Sequence, residues 1–356
     1  MSHEPVNPIL PQFLPHLDPQ FIEIYNKYQA PRLRADQVSI GEYRANTTKY
    51  TFPITPGPKP EVGDATIHRI PVEHPAGEIR VKVYTPTEAA IEAGGLKNAQ
   101  GLLPAHVNYH GGGWVIGSLL SDEPWCRSAT QTLGLIVVDV DYRLAPEHPH
   151  PAQVWDSWAA LKWVFANASS LNIDPSRVSI GGLSAGGHIA AVLALLARDE
   201  PGMPILRLQL LVVPAVDARS IPLEGPVADG VEYGSMRSCE FAPCLPLNRM
   251  RWFSRHWLGM DVEERKKKQD EWICSPILAP SHAGLAPASI RCAEFDVLRD
   301  EGVAYNDLLN KSGTPSRIKI YKGVCHPFAH WHALDKAREF DQDTFDDLRQ
   351  AHALTK

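Results

Sequence analysis

The sequence Arg177-Val178-Ser179-Ile180-Gly181-Gly182-Leu183-Ser184-Ala185-Gly186-Gly187-His188 sets the architecture expected for the rest of this chain. Residues 178–180 favour a β-strand, glycines interrupt it, and residues 189–197 are rich in helix formers. Ser184 is therefore predicted at a strand-to-helix turn of the G-x-S-x-G type, which exposes its hydroxyl and leaves nearby backbone N–H groups free to face a negative charge. This geometry suits acyl transfer, although a lone G-x-S-x-G is equally consistent with a plain glycine-rich connection.

A second glycine cluster follows the buried-type strand predicted at 105–109 and reads His110-Gly111-Gly112-Gly113-Trp114. Consecutive glycines at a strand end are entropically costly, which indicates that bare backbone approaches a ligand there. The N–H groups of Gly112 and Gly113 could form an oxyanion hole. The alternative, a phosphate cradle, is disfavoured because Ile116 breaks the G-x-G-x-x-G spacing and no G-K-[ST] follows.

Strand and helix patterns alternate on both sides of Ser184. Strands are predicted at 66–72, 78–84, 105–109, 135–139, 206–213, 288–294 and 317–321, and helices at 153–165, 305–309 and 336–352. The first two strands are expected to form a hairpin, and the later alternation predicts a parallel sheet covered by helices. Ligands bind at the carboxyl ends of such strands. Asp296 and His326 follow late strands, so we expect them at the same sheet edge as Ser184.

The order Ser184, Asp296, His326 has a chemical meaning. A serine hydroxyl is a poor nucleophile at neutral pH, and it needs a histidine to take its proton and a carboxylate to orient that histidine. His330 and His332 compete for the role of base, but only His326 directly follows the last strand. These histidines could also suggest a metal site, but no matching carboxylate or cysteine pattern accompanies them. We therefore predict no metal and no cofactor.

The chain divides into four predicted segments. Residues 1–65 are expected to form N-terminal cap helices, with one helix starting after Asp18 and a second over 35–44, followed by an extended proline-rich connector at 53–60. The other segments are a first part of the core at 66–217, a cap insertion at 218–275 that contains an aromatic-rich helix at 246–258, and a second part of the core at 276–356. The alternative for the first segment is an N-terminal extension unrelated to the active site. The alternative for the aromatic residues of the helix at 246–258 is that they only pack in the core.

Two loops are also predicted. Residues 87–101 are polar and are expected to form a surface loop. Arg143 and Glu147, in the loop that follows the strand at 135–139, are expected to form an ion pair that holds this loop beneath the site.

Composition restricts the partners of the protein. Its 356 residues include 41 acidic and 35 basic side chains, a net charge of −6 that argues against nucleic acid or an anionic membrane. The basic run 265–268 is flanked by acidic residues, which predicts a solvated helix face and not a binding patch. The six cysteines are scattered and are predicted to be reduced thiols. With no secretory-type start and no run of about 18 apolar residues, we expect a cytoplasmic protein without stable membrane insertion, and a homodimer is left open.

Several motifs together resemble those of a known family. They are His110-Gly111-Gly112-Gly113-Trp114, Tyr142-Arg143-Leu144-Ala145-Pro146-Glu147, the turn from Gly182 to Gly186, Ser275-Pro276-Ile277-Leu278-Ala279-Pro280, the run from Asp296 to Gly302, and His326-Pro327-Phe328. The chain resembles the hormone-sensitive-lipase-like branch of the α/β-hydrolase superfamily, which includes bacterial and fungal carboxylesterases. The resemblance implies an α/β-hydrolase fold, with a mostly parallel central sheet, helices on both faces and a helical cap.

Carried over by position, the resemblance implies a catalytic triad. Ser184 would be the nucleophile, His326 the general base and Asp296 the group that orients His326. The oxyanion hole would consist of the backbone N–H groups of Gly112, Gly113 and Ala185, and His110 would brace the glycine loop.

The motifs say less about which residues contact the substrate. Trp114, Leu183, Trp252 and Phe253 are expected to contact a small-molecule ester. Three positions depart from the family pattern: residue 183 is Leu where Asp or another polar residue is usual, residue 297 is Val where Pro is usual, and residue 327 is Pro where Gly is common. None of the three removes a triad atom, but Leu183 removes a polar neighbour of the nucleophile.

The function expected from these features is that of a serine carboxylic-ester hydrolase. Its expected substrates are apolar esters with a short to medium acyl group, and the size of the alcohol, which can be bulky, is left open. A non-hydrolytic enzyme of the same fold, carrying out acyl transfer or elimination in secondary metabolism, is an alternative that the sequence does not separate from hydrolysis. A ligand-binding receptor is disfavoured because gibberellin receptors, which resemble this branch, have lost the triad histidine, whereas His326 is present here.

Overall fold

The computed structural model describes residues 5–50, 59–225, 227 and 233–354. Within them, eight strands form one sheet in the order β1-β2-β4-β3-β5-β6-β7-β8. The strands are β1 Asp64–Glu73, β2 Ala76–Thr85, β3 Leu103–Tyr109, β4 Ile136–Asp141, β5 Ile173–Leu183, β6 Gln209–Val212, β7 Ala288–Phe295 and β8 Ser316–Cys325. The pairs β1–β2 and β2–β4 are antiparallel and all other pairs are parallel, which confirms the predicted hairpin and the mostly parallel sheet.

The described helices lie between and around these strands. They are α1 Pro19–Tyr28, α2 Ile40–Ala45, α3 Thr47–Tyr50, α4 Glu88–Gly94, α5 Glu123–Leu133, α6 Ala152–Ala166, α7 Ala185–Asp199, α8 Gly234–Ser238, α9 Leu247–Leu258, α10 Val262–Gln269, α11 Arg299–Lys311 and α12 Asp335–His352. Short 3₁₀ turns cover Ala35–Gln37, Ala218–Ser220, Pro276–Leu278 and Phe328–His330.

The core of the molecule is the centre of the sheet. All seven residues of β3 are buried, so helices must cover both of its faces. Helices α6 and α7 pack together, as do α5 and α12, and each pair also contacts the sheet. Helix α7 has twelve buried residues out of fifteen, as its run of alanine and leucine predicts. This rigid centre holds the turn between β5 and α7 in place.

The N-terminal segment packs against the loop that follows β8. Asp18 caps α1 by accepting hydrogen bonds from the amides of residues 20 and 21, at 2.8 and 3.4 Å, as the sequence predicts. The ring of Phe21 stacks on Trp331 with a centroid distance of 4.7 Å, and the hydroxyl of Tyr25 donates to the carbonyl of Asn7 at 3.0 Å. The start of the chain is therefore anchored near the end of the last strand.

Four predictions need correction or fall outside the described residues. The polar segment 87–101 contains α4, because Thr87 caps it and Gly95 ends it at a φ of 66°. The second N-terminal helix is divided into the turn Ala35–Gln37 and α2, because Ser39 caps a new helix. The connector predicted at 53–60 lies mostly outside the described residues.

The fourth correction concerns the ion pair expected between Arg143 and Glu147. Arg143 instead pairs with the buried Asp156 of α6 at 2.7 Å. Glu147 pairs at 2.9 Å with Arg44 of α2, a residue about 100 positions earlier in the chain. The expectation was wrong because each side chain finds a partner on an element brought next to it only by folding.

No helix in the described ranges is both long and apolar enough to cross a membrane. All six cysteines are described, and each is free and buried.

Candidate active site

The turn between β5 and α7 has the sharp geometry predicted for it. Ser184 has φ 58° and ψ −112°, a conformation that side-chain-bearing residues rarely adopt and that costs about 1–3 kcal/mol. A Cβ at Gly182 or Gly186 would overlap the carbonyl oxygen of Tyr109 at the end of β3. The two glycines are thus required by the close approach of β3. Ala185 is the first residue of α7, so its N–H has no carbonyl one turn earlier to accept it.

The glycine loop after β3 folds back on itself. Gly112 has φ 117° and Gly113 has φ 58°, both in the region that favours glycine. The amides of Val115 and Ile116 donate to the carbonyl of Gly112 at 3.1 and 3.0 Å, which closes the turn. Neither Gly112 nor Gly113 donates its own N–H to another residue in the part of the chain that the structure describes. These two donors are available to a ligand.

His110 and Tyr142 brace the loop from one side. Their rings stack with a centroid distance of 4.2 Å. The hydroxyl of Tyr142 donates to the carbonyl of His110 at 2.7 Å, and Nδ1 of His110 lies 2.7 Å from the carbonyl of Gly111. Burial lowers the pKa of His110, so its ring is neutral at neutral pH. His110 therefore supports the loop backbone.

A buried aromatic cluster supports the other side of the loop. The ring of Trp114 stacks on Trp257 of α9 with a centroid distance of 3.6 Å. Nε1 of Trp114 donates to Nδ1 of His188 at 3.1 Å, and Nε2 of His188 donates to the carbonyl of Ile273 at 2.9 Å. Burial lowers the pKa of His188 to about 4, which keeps the ring in the neutral form that this pair of bonds requires. The cluster joins the glycine loop to α7 and α9.

Asp296 and His326 meet at the carboxyl ends of β7 and β8. Nδ1 of His326 lies 2.8 Å from Oδ2 of Asp296, and both side chains are nearly fully buried. The other oxygen of Asp296 accepts the amide of Leu298 at 3.0 Å. The carboxylate is thus held in one orientation, which in turn holds the imidazole ring.

Ser184 and His326 open into one cavity of about 100 Å³. Its lining residues are Gly111, Gly112, Gly113, Ile116, Gly117, Ser121, Leu183, Ser184, Cys244, Leu245, Arg249, Phe253, His326, Pro327 and His330. The cavity is therefore bounded by the glycine loop, the serine turn, the loop after β8 and residues 244–253 at and before α9.

Two of the four residues expected to contact the substrate line this cavity. Leu183 and Phe253 belong to its wall. Trp114 does not, because it is buried behind the glycine loop with an exposed fraction of 2%. Trp252 points its ring toward Phe253 and His256, at centroid distances of 5.2 and 4.6 Å, and is also outside the described lining. Their aromatic character predicted contact, but both rings serve packing.

A second histidine–carboxylate pair lies in this region and was not predicted from the sequence. Nε2 of His330, which lines the cavity, lies 2.7 Å from Oδ1 of Asp122. Asn108 donates to Asp122 at 3.0 Å and to Asp139 at 2.8 Å. Burial tends to raise the pKa of Asp122, but the bonds from His330 and Asn108 hold it below its ordinary value. Burial, with the neighbouring Asp122, raises the pKa of Asp139 well above its ordinary range.

Arg249, in the aromatic-rich helix, was also not predicted from the sequence as a site residue. Arg249 is 8% exposed and faces the cavity.

In the described ranges, no group of three or more histidine, cysteine, aspartate or glutamate side chains is arranged to hold a metal ion.

Fold and site together define a class of protein. A mostly parallel sheet carries a serine at a sharp strand–helix turn, an aspartate–histidine pair follows later strands in the order Ser, Asp, His, and a glycine loop lies beside the serine. This is the arrangement of α/β-hydrolases. A family model described as "alpha/beta hydrolase fold" matches residues 106–330. The chain belongs to this family, in its hormone-sensitive-lipase-like branch, as the motifs predicted.

Known proteins are similar to this chain over most of its length. An AB hydrolase superfamily protein of Schizosaccharomyces pombe is 35% identical over 346 residues, covering 95% of this chain and 94% of that protein. Carboxylesterase NlhH of Mycobacterium tuberculosis is 41% identical over 234 residues, covering 64% and 67%. The solved structure of a hyperthermophilic esterase from the archaeon Pyrobaculum calidifontis matches with a TM-score of 0.76 and 31% identity, covering 95% of this chain and 100% of that one. The predicted α/β-hydrolase fold is thereby confirmed.

Proposed function

We propose that this chain, an ester hydrolase of the family, cleaves carboxylic esters through an acyl-enzyme on Ser184. The observation that carries the proposal is the Asp296–His326 pair, 2.8 Å apart, whose histidine opens into the same cavity as Ser184. The relatives named carboxylesterase and carboxylic ester hydrolase support the reaction class.

In the acylation step, His326 accepts the hydroxyl proton of Ser184 while the serine oxygen attacks the ester carbonyl. Asp296 holds the imidazole by its Nδ1–H and stabilises the imidazolium that forms. The carbonyl oxygen becomes an oxyanion, and the N–H groups of Gly112, Gly113 and Ala185 stabilise it. Each such donor contributes roughly 10²- to 10³-fold in kcat in comparable enzymes. His326 then protonates the departing alcohol, which leaves an acyl group on Ser184.

In the deacylation step, His326 removes a proton from a water molecule that attacks the acyl carbonyl. The same N–H groups stabilise the second oxyanion, and the proton returns to Ser184 as the acid leaves. The serine thus divides one slow hydrolysis into two faster transfers.

The cavity supports esters with a short acyl group. Its volume of about 100 Å³ is small, and Ile116, Leu183, Leu245 and Phe253 provide apolar surface. A larger groove of about 630 Å³ shares Gly117 and Ser121 with this cavity. Because the groove and the cavity share these two lining residues, we propose that the groove accommodates a bulkier alcohol portion.

The test is hydrolysis of a p-nitrophenyl ester series from acetate to palmitate by the wild type and by Ser184→Ala. We expect turnover to be highest for short acyl chains and kcat of the variant to fall by about 10⁶-fold, as loss of the nucleophile does in other triads. A fluorophosphonate probe should add its mass to the wild type and not to Ser184→Ala.

The matched control is Ser170→Ala, which removes an exposed hydroxyl in the loop after α6 and should keep both the activity and the adduct. Residual turnover of Ser184→Ala within tenfold of the wild type would overturn the mechanism. Products formed with an added alcohol acceptor distinguish hydrolysis from acyl transfer.

A further inference from the structure

Arg249 is a buried basic side chain in the wall of the active-site cavity. Its guanidinium carbon lies 5.5 Å from the centre of the Phe253 ring, and its Nη1 donates to the carbonyl of Cys244 at 2.7 Å. Among the described residues, Cys244 alone accepts a hydrogen bond from Arg249, and Nε is buried without an acceptor. Because a guanidinium has five N–H groups, most donors of Arg249 remain unused.

The charge of Arg249 is only partly balanced. Nε of Arg249 lies 3.5 Å from Oδ1 of Asp36. However, Asp36 already accepts hydrogen bonds from Arg34 on both oxygens, at 3.0 and 3.1 Å. Two guanidinium groups therefore share one carboxylate. Burial lowers the pKa of Arg249 and Asp36 raises it, but an arginine stays charged at neutral pH.

The carboxylate of the triad does not supply the missing negative charge. Asp296 is engaged by His326 at 2.8 Å and by the amide of Leu298 at 3.0 Å. A buried charge without a full partner is costly, and a ligand that brings an anion to it gains both Coulombic energy and unused hydrogen bonds.

We propose that Arg249 binds a carboxylate carried by the ester substrate, so that preferred substrates are short esters with a free carboxylate. The proposal rests on the proposed esterase function and adds a substrate class to it. Arg249 and Ser184 line the same cavity of about 100 Å³, so only a short chain fits between the carboxylate and the scissile bond. The carboxylate can belong to the acyl arm, as in a mono-ester of a dicarboxylic acid, or to the alcohol arm, as in the acetate of a hydroxy acid.

The test compares esters that differ only in a carboxylate. Monoethyl adipate against ethyl hexanoate examines the acyl arm, and 4-acetoxybutanoate against butyl acetate examines the alcohol arm, each followed by acid release. The wild type should favour the carboxylated member of at least one pair in kcat/KM. In Arg249→Met, kcat/KM for that member should fall about 10- to 100-fold, mostly through KM, because a charge-assisted hydrogen bond is lost. Arg249→Lys should restore part of the preference.

The matched control is Arg255→Met, which removes an exposed guanidinium from the same helix, α9. Arg255 does not belong to the described lining of the cavity, so this variant should keep the preference for the carboxylated ester. An equal loss toward charged and neutral esters in Arg249→Met would overturn the proposal, because it would assign Arg249 a purely structural role. No preference by the wild type in either pair would overturn it without any variant.

Failure of this inference and failure of the esterase function give different results. If neutral esters are hydrolysed and the probe labels Ser184, but the carboxylate has no effect, only the role of Arg249 is wrong. If no ester is hydrolysed and the probe does not react, the proposed function itself is wrong.

Discussion

Gly112 is the residue whose backbone is under the tightest constraint in the glycine loop. Its φ of 117° is strained for any other residue, and a Cβ there would overlap the carbonyl oxygen of Ile116. The amide of the same residue, Ile116, donates a hydrogen bond to the carbonyl of Gly112. The glycine therefore allows the loop to close while its own N–H stays available.

We predict that Gly112→Ala lowers kcat by roughly 10²- to 10³-fold, because displacement of the loop removes at least one oxyanion donor. The measurement is steady-state hydrolysis of a short p-nitrophenyl ester, with thermal unfolding to verify the fold. Gly41→Ala is the matched control, since a Cβ at Gly41 in α2 meets nothing within 4 Å. A Gly112→Ala enzyme with wild-type kcat would show that Gly112 supplies no donor.

At the scale of elements, one side chain of α2 binds both the glycine loop and the loop that follows β4. Arg44 donates to the carbonyl of Val115 at 2.7 Å and to that of Ala145 at 2.8 Å, and it pairs with Glu147 at 2.9 Å. Both carbonyls belong to loops that follow strands of the sheet. The N-terminal segment is thereby linked directly to the backbone that follows Gly113.

We predict that Arg44→Met lowers the free energy of unfolding by about 1–3 kcal/mol, because two backbone carbonyls lose a charged donor. Amide exchange of residues 40–50 should become faster, and KM should rise. Hydrogen exchange by mass spectrometry measures the first effect. The control is Arg69→Met, which removes an exposed ion pair with Glu78 on the hairpin and should change stability by less than about 1 kcal/mol. Equal effects of the two variants would contradict the prediction.

Helix α11 is joined to the loop after β6 by a buried carboxyl group. Oε1 of Glu301 accepts the amide of Val216 at 2.7 Å, and Oε2 accepts the hydroxyl of Ser220 at 2.7 Å. Burial raises the pKa of Glu301 to about 8, with a further contribution from Asp217, although the bond from Ser220 opposes it. This carboxyl group therefore retains its proton in the folded protein at neutral pH.

The raised pKa predicts a stability that falls with rising pH. Between the unfolded pKa of about 4.3 and the folded pKa of about 8, the folded state binds a proton that the unfolded state has lost. Relative to Glu301→Gln, which does not titrate, the wild type should therefore lose up to about 1.4 kcal/mol per pH unit in this window. Urea unfolding of both proteins at several pH values measures the difference. Glu78→Gln, at an exposed site, serves as the control, and parallel pH profiles of wild type and Glu301→Gln would refute the raised pKa.

At the scale of the whole molecule, the cysteines report how completely the fold excludes water. All six are buried. Burial raises the pKa of every one of them, to about 11 for Cys239. The reactive thiolate is therefore scarce in the folded protein.

We predict that the native protein reacts with a disulfide reagent such as DTNB at least about 100-fold more slowly than the unfolded chain, given that each pKa unit lowers the thiolate fraction tenfold. In guanidinium chloride all six thiols should react. A reducing agent should leave the melting temperature unchanged. Fewer than six thiols in the unfolded chain would indicate a disulfide and contradict the prediction of reduced cysteines.

Much of the fold could be predicted from local patterns. The turn at Ser184, the glycine loop, the hairpin and the cap at Asp18 each depend on residues close together in the chain, and the structure has all of them. Helix α4 was not predicted, although Thr87 is a suitable N-cap and residues 88–93 are mostly alanine and glutamate, which favour helices. Two of the four residues expected at the substrate, Trp114 and Trp252, serve packing, since an aromatic side chain has the same sequence signal in a core and in a pocket.

The sequence by itself determined the family, the alternation of strands and helices along the chain, and the turn that carries Ser184, because glycine positions and hydrophobic periods act on the local backbone. Only the tertiary structure decided that Arg249 meets Asp36, that His330 meets Asp122, 208 positions away, and that Arg44 meets Glu147. Such pairs depend on which elements become neighbours when the apolar core is buried. No local pattern records that adjacency, so the charge and shape of the cavity arise from the fold as a whole.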